Sequence, residues 1–173
     1  MARPARADRP VSQRLGQSSN MTMAVMTIPM WMLLGFATWT LLLLMATVGV
    51  YRWFKILFWR APIASFRSDQ LEGEDWYRRG TRAHANCVEN LPVFGAIVLV
   101  ISVIGVTGPA VDYLCTIVLL ARVCQSLVHV SHVQTDAFVA VRFSFFCVQL
   151  ACFLALIVIV ACHGLPVFGP RAG

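Results

Sequence analysis

RAHANCVENLPVF, residues 82–94, joins a polar connector to a long apolar run. Within it, Arg82, Asn86 and Glu89 are separated by four and then three positions, so on a helix they lie on one stripe. Charged side chains at the edge of hydrocarbon are costly and need partners. The segment therefore predicts the start of a membrane helix whose polar stripe can hold a ligand that carries both carboxylates and an ammonium group.

The composition of the chain is that of a membrane protein. It has 173 residues, of which 58% are hydrophobic and 13% charged, whereas soluble domains carry about 25% charged residues. The net charge of +6 comes mainly from basic residues beside the apolar runs, which indicates anchoring at a membrane edge rather than nucleic-acid binding. The six cysteines form no CxxC pair and are predicted to be small buried side chains, not disulfides or zinc ligands.

Four apolar segments are long enough to cross a bilayer, which takes about 20 residues of helix. They cover about residues 28–50, 75–104, 109–130 and 137–162, in a domain of residues 28–162. We expect residues 1–27 to be a disordered basic tail and residues 163–173 a C-terminal tail. The last two connectors are short, which favours antiparallel neighbours. The sequence predicts an all-α, integral membrane four-helix bundle.

The charges of the connectors predict the orientation. Residues 52–82 hold seven Lys or Arg residues, and the other two connectors hold none. The positive-inside rule therefore puts the first connector in the cytoplasm. The four arginines of the tail argue against this, but they carry less weight, because Met21, Met23 and Met26 are alternative starts. A signal peptide is disfavoured, because the first apolar run is too long for a cleaved segment.

The third predicted span carries a second polar stripe. Its members are Arg122, Gln125, Ser126, His129 and His132. Arg122 is too deep to face lipid, so we expect it to face the bundle or a subunit interface, with Glu89 as its most attractive partner. For the two histidines, ordinary helix-end polarity is an equally good interpretation. Their spacing permits a metal pair, but no third ligand supports one, so no metal site is predicted.

Arg142 opens the fourth predicted span, with Phe146 and Gln149 on the same stripe. The nearest acidic residue along the chain is Asp136, six positions earlier. An unpaired guanidinium that faces a membrane cleft attracts an anion, which makes Arg142 the candidate catalytic residue. The alternative is an anchor for lipid phosphate. For the stripe of residues 82–94, the alternative is snorkelling or pairing within the protein.

These motifs resemble the MAPEG superfamily, the membrane-associated proteins of eicosanoid and glutathione metabolism. The resemblance is strongest at residues 82–94, and Ala121-Arg122 and Val141-Arg142-Phe143 support it. It covers about residues 28–162 and suggests a bacterial-type member. A bacterial inner membrane is then the expected location.

The resemblance implies a homotrimer that binds glutathione, as co-substrate, between subunits. Arg82, Asn86 and Glu89 match family residues that hold the glutathione backbone. Gln125 and His129 sit where related enzymes use other polar or aromatic side chains. Arg142 matches an arginine that stabilises the glutathione thiolate, which attacks a lipophilic electrophile or a hydroperoxide. The implied function is that of a glutathione-dependent membrane transferase or peroxidase.

Some positions depart from the family pattern. Phe146 stands where a tyrosine hydroxyl often reaches the ligand, Ala85 where one member has a second arginine, and Tyr113 is the only tyrosine of the last two spans. A non-catalytic lipid-binding or scaffold protein of the same fold is therefore the alternative. A channel or transporter is less favoured, because no pair of spans is broken by Gly or Pro. Glu89 could bind the ammonium of the ligand or neutralise Arg122.

Overall fold

The computed structural model describes residues 26–59, 74–131 and 135–164. Its helices are α1 (Ile28–Leu44), a π-helical segment (Met45–Gly49), α2 (Val50–Trp59), α3 (Asp75–Ile104), α4 (Pro109–Ser131) and α5 (Asp136–Gly164). The first three run on without a break, so the described residues contain four helices long and apolar enough to cross a membrane. The predicted all-α bundle of four spanning helices is confirmed. The predicted tails lie almost entirely outside the described residues.

The first span continues past residue 50, where the polar connector was predicted to begin, and ends in α2. The charged side chains of α2 have partners that let the helix continue. Arg52 Nε donates to the Tyr77 hydroxyl at 3.1 Å, and Lys55 Nζ lies 4.7 Å from the centre of the Tyr51 ring. The contact between Arg52 and Tyr77 joins α2 to the next helix, so sequence patterning alone does not reveal it.

The turn between α3 and α4 depends on glycine. Gly105 ends α3 with φ of 70°, a left-handed conformation that glycine adopts without steric strain. Its backbone N–H donates to the carbonyl of Ile101, and Pro109 then begins α4, where a missing N–H costs nothing. The chain thus reverses within a few residues, and α4 packs on both α3 and α5.

An aromatic core joins three of the spans. The rings of Phe36 in α1 and Phe94 in α3 lie 5.7 Å apart, and those of Phe94 and Phe153 in α5 lie 6.0 Å apart. Phe36 and Phe94 are fully buried, as are Val118 and Leu156 beside them. The ring contacts join α1, α3 and α5, and Val118 adds α4 to the same buried cluster.

The π-helical segment approaches α3 closely at Gly80. A Cβ added to Gly80 would lie 2.6 Å from the Cβ of Thr47, nearer than side chains tolerate. Rotation of the Thr47 side chain cannot relieve this contact, because the backbone sets the position of its Cβ; its Oγ1 also donates to the carbonyl of Leu43 at 2.6 Å. The contact therefore requires glycine, and it sets the position of the turns of α3 that carry Arg79 and Arg82.

Candidate functional site

A cavity of about 240 Å³ lies between α3, α4 and α5, and we call it the polar cavity. Its lining residues are Asn86, Glu89, Asn90, Arg122, Gln125, Val139, Arg142, Phe143 and Phe146. The three polar stripes of the sequence thus converge on one space. Of the predicted site residues, Asn86, Glu89, Gln125 and Arg142 line it, whereas Arg82 and His129 do not.

The α3 wall combines amides with a carboxylate. Asn90 Nδ2 donates to the carbonyl of Asn86 at 2.8 Å, one turn earlier in the helix. Glu89 lines the cavity but remains exposed on the surface of the bundle. The helix continues through Pro92. A ligand in the cavity can therefore reach the Glu89 carboxylate and the Asn86 side chain together.

Arg122 is the most deeply buried charged residue that the structure describes, with 1% of its surface exposed. Its guanidinium carbon lies 5.6 Å from the centre of the Phe36 ring. Its Nε and Nη2 atoms are buried without a hydrogen-bond partner in the described ranges. Arg122 and Glu89 form no ion pair within 4.0 Å in the described ranges. The expected salt bridge with Glu89 is therefore absent there, and two N–H groups of Arg122 remain without a partner in those ranges.

A pair of glutamines holds the start of α5 against α4. Gln149 Nε2 donates to Gln125 Oε1 at 3.0 Å and to the carbonyl of Phe145 at 3.1 Å. Gln125 Nε2 in turn donates to the backbone carbonyl of Arg142 at 3.3 Å. Gln125 therefore fixes the backbone of Arg142, whose side-chain Nε is buried and, within the described residues, has no partner.

Arg82 and His129 belong to a basic cluster beside the polar cavity, which we define as Arg79, Arg82 and His129. His129 is 3% exposed, and the two arginines and Arg142 act on it electrostatically. Its Nε2 has no partner in the described part of the chain. Arg79 Nε donates to the carbonyl of Val130 at 3.3 Å and so ties α3 to the end of α4. Through Arg142, the cluster extends the positive charge of the cavity.

Some lining residues were not singled out from the sequence. Asn90 could have been found, because it follows Asn86 by four positions and so shares its face of the helix. Val139 and Phe143 carry no such signal, since many apolar residues of α5 have the same spacing. His132, the second residue of the possible metal pair, lies outside the described residues.

The polar cavity can bind an ion that carries both signs of charge. Arg122 and Arg142 offer unpartnered N–H donors to anions, and Glu89 offers a carboxylate to a cation. Guanidinium groups keep their charge at any physiological pH and match carboxylates geometrically. The aromatic rings of Phe143 and Phe146 add an apolar wall where a lipophilic group can lie.

Comparison with known protein families identifies the family of this chain. The model of the MAPEG family matches residues 28–162, a range that contains every residue of the polar cavity. Neither the curated proteins nor the solved structures gave a match to the chain. The match covers most of the sequence and includes the motif at residues 82–94. The chain therefore belongs to the MAPEG family, a family of membrane proteins related to glutathione and eicosanoid metabolism, as its motifs predicted.

Proposed function

We propose that the protein is a glutathione-dependent membrane transferase or peroxidase that acts at the polar cavity. The observation that carries this proposal is the convergence of unpartnered guanidinium donors and one carboxylate in that cavity. Glutathione carries two carboxylates, an ammonium group and a thiol, so its charges complement these side chains. Membership of the MAPEG family supports the same class of ligand.

Each predicted residue has a role in this proposal. Arg82, from the basic cluster, attracts a glutathione carboxylate, and Asn86 and Glu89 bind its backbone and ammonium group. Gln125 holds the backbone of Arg142 and presents its amide to the cavity. His129 presents an unpartnered Nε2 beside the three arginines. Arg122 is an additional donor. From the sequence alone it was expected only as a buried partner of Glu89.

Arg142 is the proposed catalytic residue. A free thiol with a pKa of about 8.5 is mostly protonated at pH 7, and a nearby fixed cation favours the thiolate. Each unit by which the pKa of the bound thiol falls corresponds to about 1.4 kcal/mol. Arg142 supplies a cation that cannot lose its proton. Glutathione supplies the nucleophile, which acts on an electrophile or hydroperoxide that arrives from the bilayer.

A homotrimer completes the proposal. Polar groups cannot face lipid hydrocarbon without partners, and the cavity lies open on the surface of the single subunit, where Glu89 and Phe143 are exposed. A neighbouring subunit would cover this face and enclose the glutathione. We further propose a bacterial inner membrane location with the first connector in the cytoplasm, from the charge distribution of the connectors.

Glutathione binding tests the proposal directly. The purified protein is titrated in detergent with millimolar glutathione in a calorimeter, beside Arg82→Ala and the matched control Arg78→Ala. Arg78 lies on the same helix, but its partner is Asp75, at 3.9 Å. We expect binding by the wild type and the control, and affinity about tenfold lower in Arg82→Ala, because the variant removes a positive charge that attracts the ligand; a tenfold change corresponds to about 1.4 kcal/mol. Wild-type protein that does not bind glutathione would contradict the proposal.

The alternative is a non-catalytic lipid-binding or scaffold protein. The observation that favours it is Phe146, which lines the polar cavity with a ring that has no hydroxyl to donate to a ligand. Conjugation of an aryl halide electrophile separates the two functions. Binding of glutathione without turnover would support the alternative.

A further inference from the structure

A second cavity, of about 400 Å³, lies where the first span ends and α3 begins. Its lining residues are Val50, Tyr51, Phe54, Lys55, Glu74 and Trp76, none of which lines the polar cavity. We call it the interfacial cavity. The first span, Ile28–Phe58, is longer than the roughly 20 residues that cross a bilayer, and Glu74 directly precedes α3. These positions place the cavity at the level of the lipid headgroups, where tryptophan, tyrosine and lysine concentrate.

One wall of the interfacial cavity is a fixed aromatic cluster. Tyr51 stacks on Tyr77 with ring centres 4.1 Å apart, and Trp76 meets Tyr51 edge-on at 5.4 Å. Trp76 Nε1 donates to Glu74 Oε2 at 2.6 Å and so orients the carboxylate. Arg52 Nε donates to the Tyr77 hydroxyl at 3.1 Å. The wall is therefore formed before any ligand binds, which lowers the entropy cost of binding.

The interfacial cavity contains hydrogen-bond donors for an anion and a carboxylate for a cation. Lys55 Nζ lies 4.7 Å from the centre of the Tyr51 ring, and Glu74 lines the same cavity. Tyr51 is 6% exposed, and its hydroxyl is buried with no hydrogen-bond partner in the described ranges. Lys55 and the Tyr51 hydroxyl are donors suited to a phosphate, and Glu74 is an acceptor suited to an ammonium group. A zwitterion matches this pair of charges better than an anion or a cation alone.

The aromatic geometry distinguishes between zwitterionic headgroups. A choline group binds best in a cage of free aromatic faces. Tyr77 stacks on the Tyr51 ring while Lys55 lies over it, so both faces of that ring are occupied. A primary ammonium group instead donates N–H hydrogen bonds to a carboxylate, which Glu74 provides. We propose that the interfacial cavity binds the headgroup of a phospholipid of the ethanolamine class, with its phosphate on Lys55 and Tyr51 and its ammonium on Glu74.

The acyl chains of such a lipid have a surface to lie on. Val50 and Phe54 line the cavity and are 58% and 54% exposed, and Leu42 and Met45, which lie nearer the bilayer centre along the same span, are 56% and 60% exposed. Phe54 and Phe58 pack on each other with ring centres 4.8 Å apart. A headgroup in the cavity therefore sits beside apolar side chains rather than above a polar surface. The proposal does not depend on glutathione binding or on catalysis.

Lipid selectivity of the full-length protein tests this inference. The protein is exchanged into mixed micelles with equal amounts of phosphatidylethanolamine, phosphatidylcholine and phosphatidylglycerol, and bound lipids are counted by native mass spectrometry. We expect phosphatidylethanolamine to be retained about fivefold over phosphatidylcholine, the ratio that one good exposed ion pair supports. Equal retention of the two would overturn the proposal. Preference for phosphatidylglycerol would also overturn it, because Lys55 alone would then explain binding.

Matched variants show whether the preference belongs to this cavity. Glu74→Gln is expected to bring the ratio of the two zwitterionic lipids to about one, and Lys55→Gln to weaken retention of all three phospholipids by up to about fivefold. Asp75→Asn and Arg78→Gln change neighbouring charges that do not line the cavity, and should leave the wild-type pattern unchanged. Tyr51→Phe keeps the ring stack and removes only the hydroxyl. Retention of all three phospholipids should therefore weaken, because the proposed phosphate contact is lost. A wild-type preference that survives Glu74→Gln would refute the assignment.

Discussion

Phe94 of α3 and Arg122 of α4 are both buried against Phe36, but their surroundings differ. Phe94 is fully buried and is packed between the rings of Phe36 and Phe153 of the same chain. Arg122 is equally inaccessible, yet two of its nitrogens have no hydrogen-bond partner in the described residues. We call the region of Phe36, Phe94 and Phe153 the aromatic half. We call the region of Arg122, His129, Arg142 and Gln149 the polar half. The difference shows that the same helices pack the Phe94 ring on both sides but leave several buried polar atoms unpaired among the described residues.

The polar half contains five buried atoms without a partner in the described residues, of which only those of Arg122 and Arg142 belong to residues that line the polar cavity. The five atoms are Arg122 Nε and Nη2, Arg142 Nε, His129 Nε2 and Gln149 Oε1. A buried polar group without a partner costs about 1–3 kcal/mol, so several of them together are unfavourable in an isolated subunit. A ligand or a neighbouring subunit that supplies partners recovers this energy. The polar half is therefore the part of the bundle whose stability should depend on what it binds.

The largest expected effect is on catalysis in the polar half. Arg142→Ala should lower the rate of aryl halide conjugation at pH 7 by about 100-fold or more, the usual loss when a positioned electrostatic donor is removed. Because the bound thiol then regains its ordinary pKa of about 8.5, the activity of the variant should rise between pH 7 and pH 9. Rates across this range check the prediction. Arg142→Lys is the control, since it keeps a positive charge. Equal activity of Arg142→Ala and wild type would remove Arg142 from the mechanism.

The next effect belongs to the aromatic half. Phe94→Ala leaves a hole between Phe36 and Phe153, and such truncations cost about 3–5 kcal/mol in soluble cores. In a bilayer we expect about 2–3 kcal/mol, because lipid is as apolar as the core and only the packing is lost. Thermal unfolding in detergent measures the loss. The unfolding temperature should fall equally with and without glutathione. A larger fall with glutathione present would mean that the two halves are not separate.

Replacing Arg122 with an apolar residue would leave fewer unpaired polar atoms in the polar half. Arg122→Met removes a buried charge and fills the same volume, and such exchanges are neutral or stabilising by about 1–4 kcal/mol. We expect an unfolding temperature equal to or above that of wild type, together with about tenfold weaker glutathione binding. Arg122→Lys, the control, should retain part of the affinity. Loss of stability in Arg122→Met would show that Arg122 is fully paired and structural.

The smallest effect concerns the contact that positions the basic cluster. Gly80→Ala would bring a Cβ to 2.6 Å from Thr47, and overpacking of this kind costs about 1–3 kcal/mol. We expect lower thermal stability and weaker glutathione binding, because α3 must shift at Arg79 and Arg82. Gly95→Ala is the matched control, since its nearest neighbour would be Leu33 Cδ1 at 3.8 Å. Addition of Thr47→Gly to Gly80→Ala removes the clashing Cβ and should restore glutathione binding. If binding by the double variant stays weak, the Thr47 contact is not the cause.

Sequence spacing predicted much of the polar cavity but not its boundaries. The stripe of Arg82, Asn86 and Glu89 is regular, yet only the last two line the cavity. A stripe shows which residues share a face, whereas the length of the cavity along that face depends on where neighbouring helices cross. Gln149 was noted only as a member of the Arg142 stripe. Its bond to Gln125 became visible once α4 and α5 were packed together.

The sequence by itself determined the membrane class, the four spans and the family. These follow from apolar runs of sufficient length and from one local motif at residues 82–94, both of which are properties of neighbouring residues. Only the tertiary structure decided that Arg122 keeps free donors, that Gln125 holds the backbone of Arg142, and that Tyr51, Lys55 and Glu74 enclose a second cavity. Each of these depends on distances between side chains from different helices, which helix packing sets and periodicity within one helix does not.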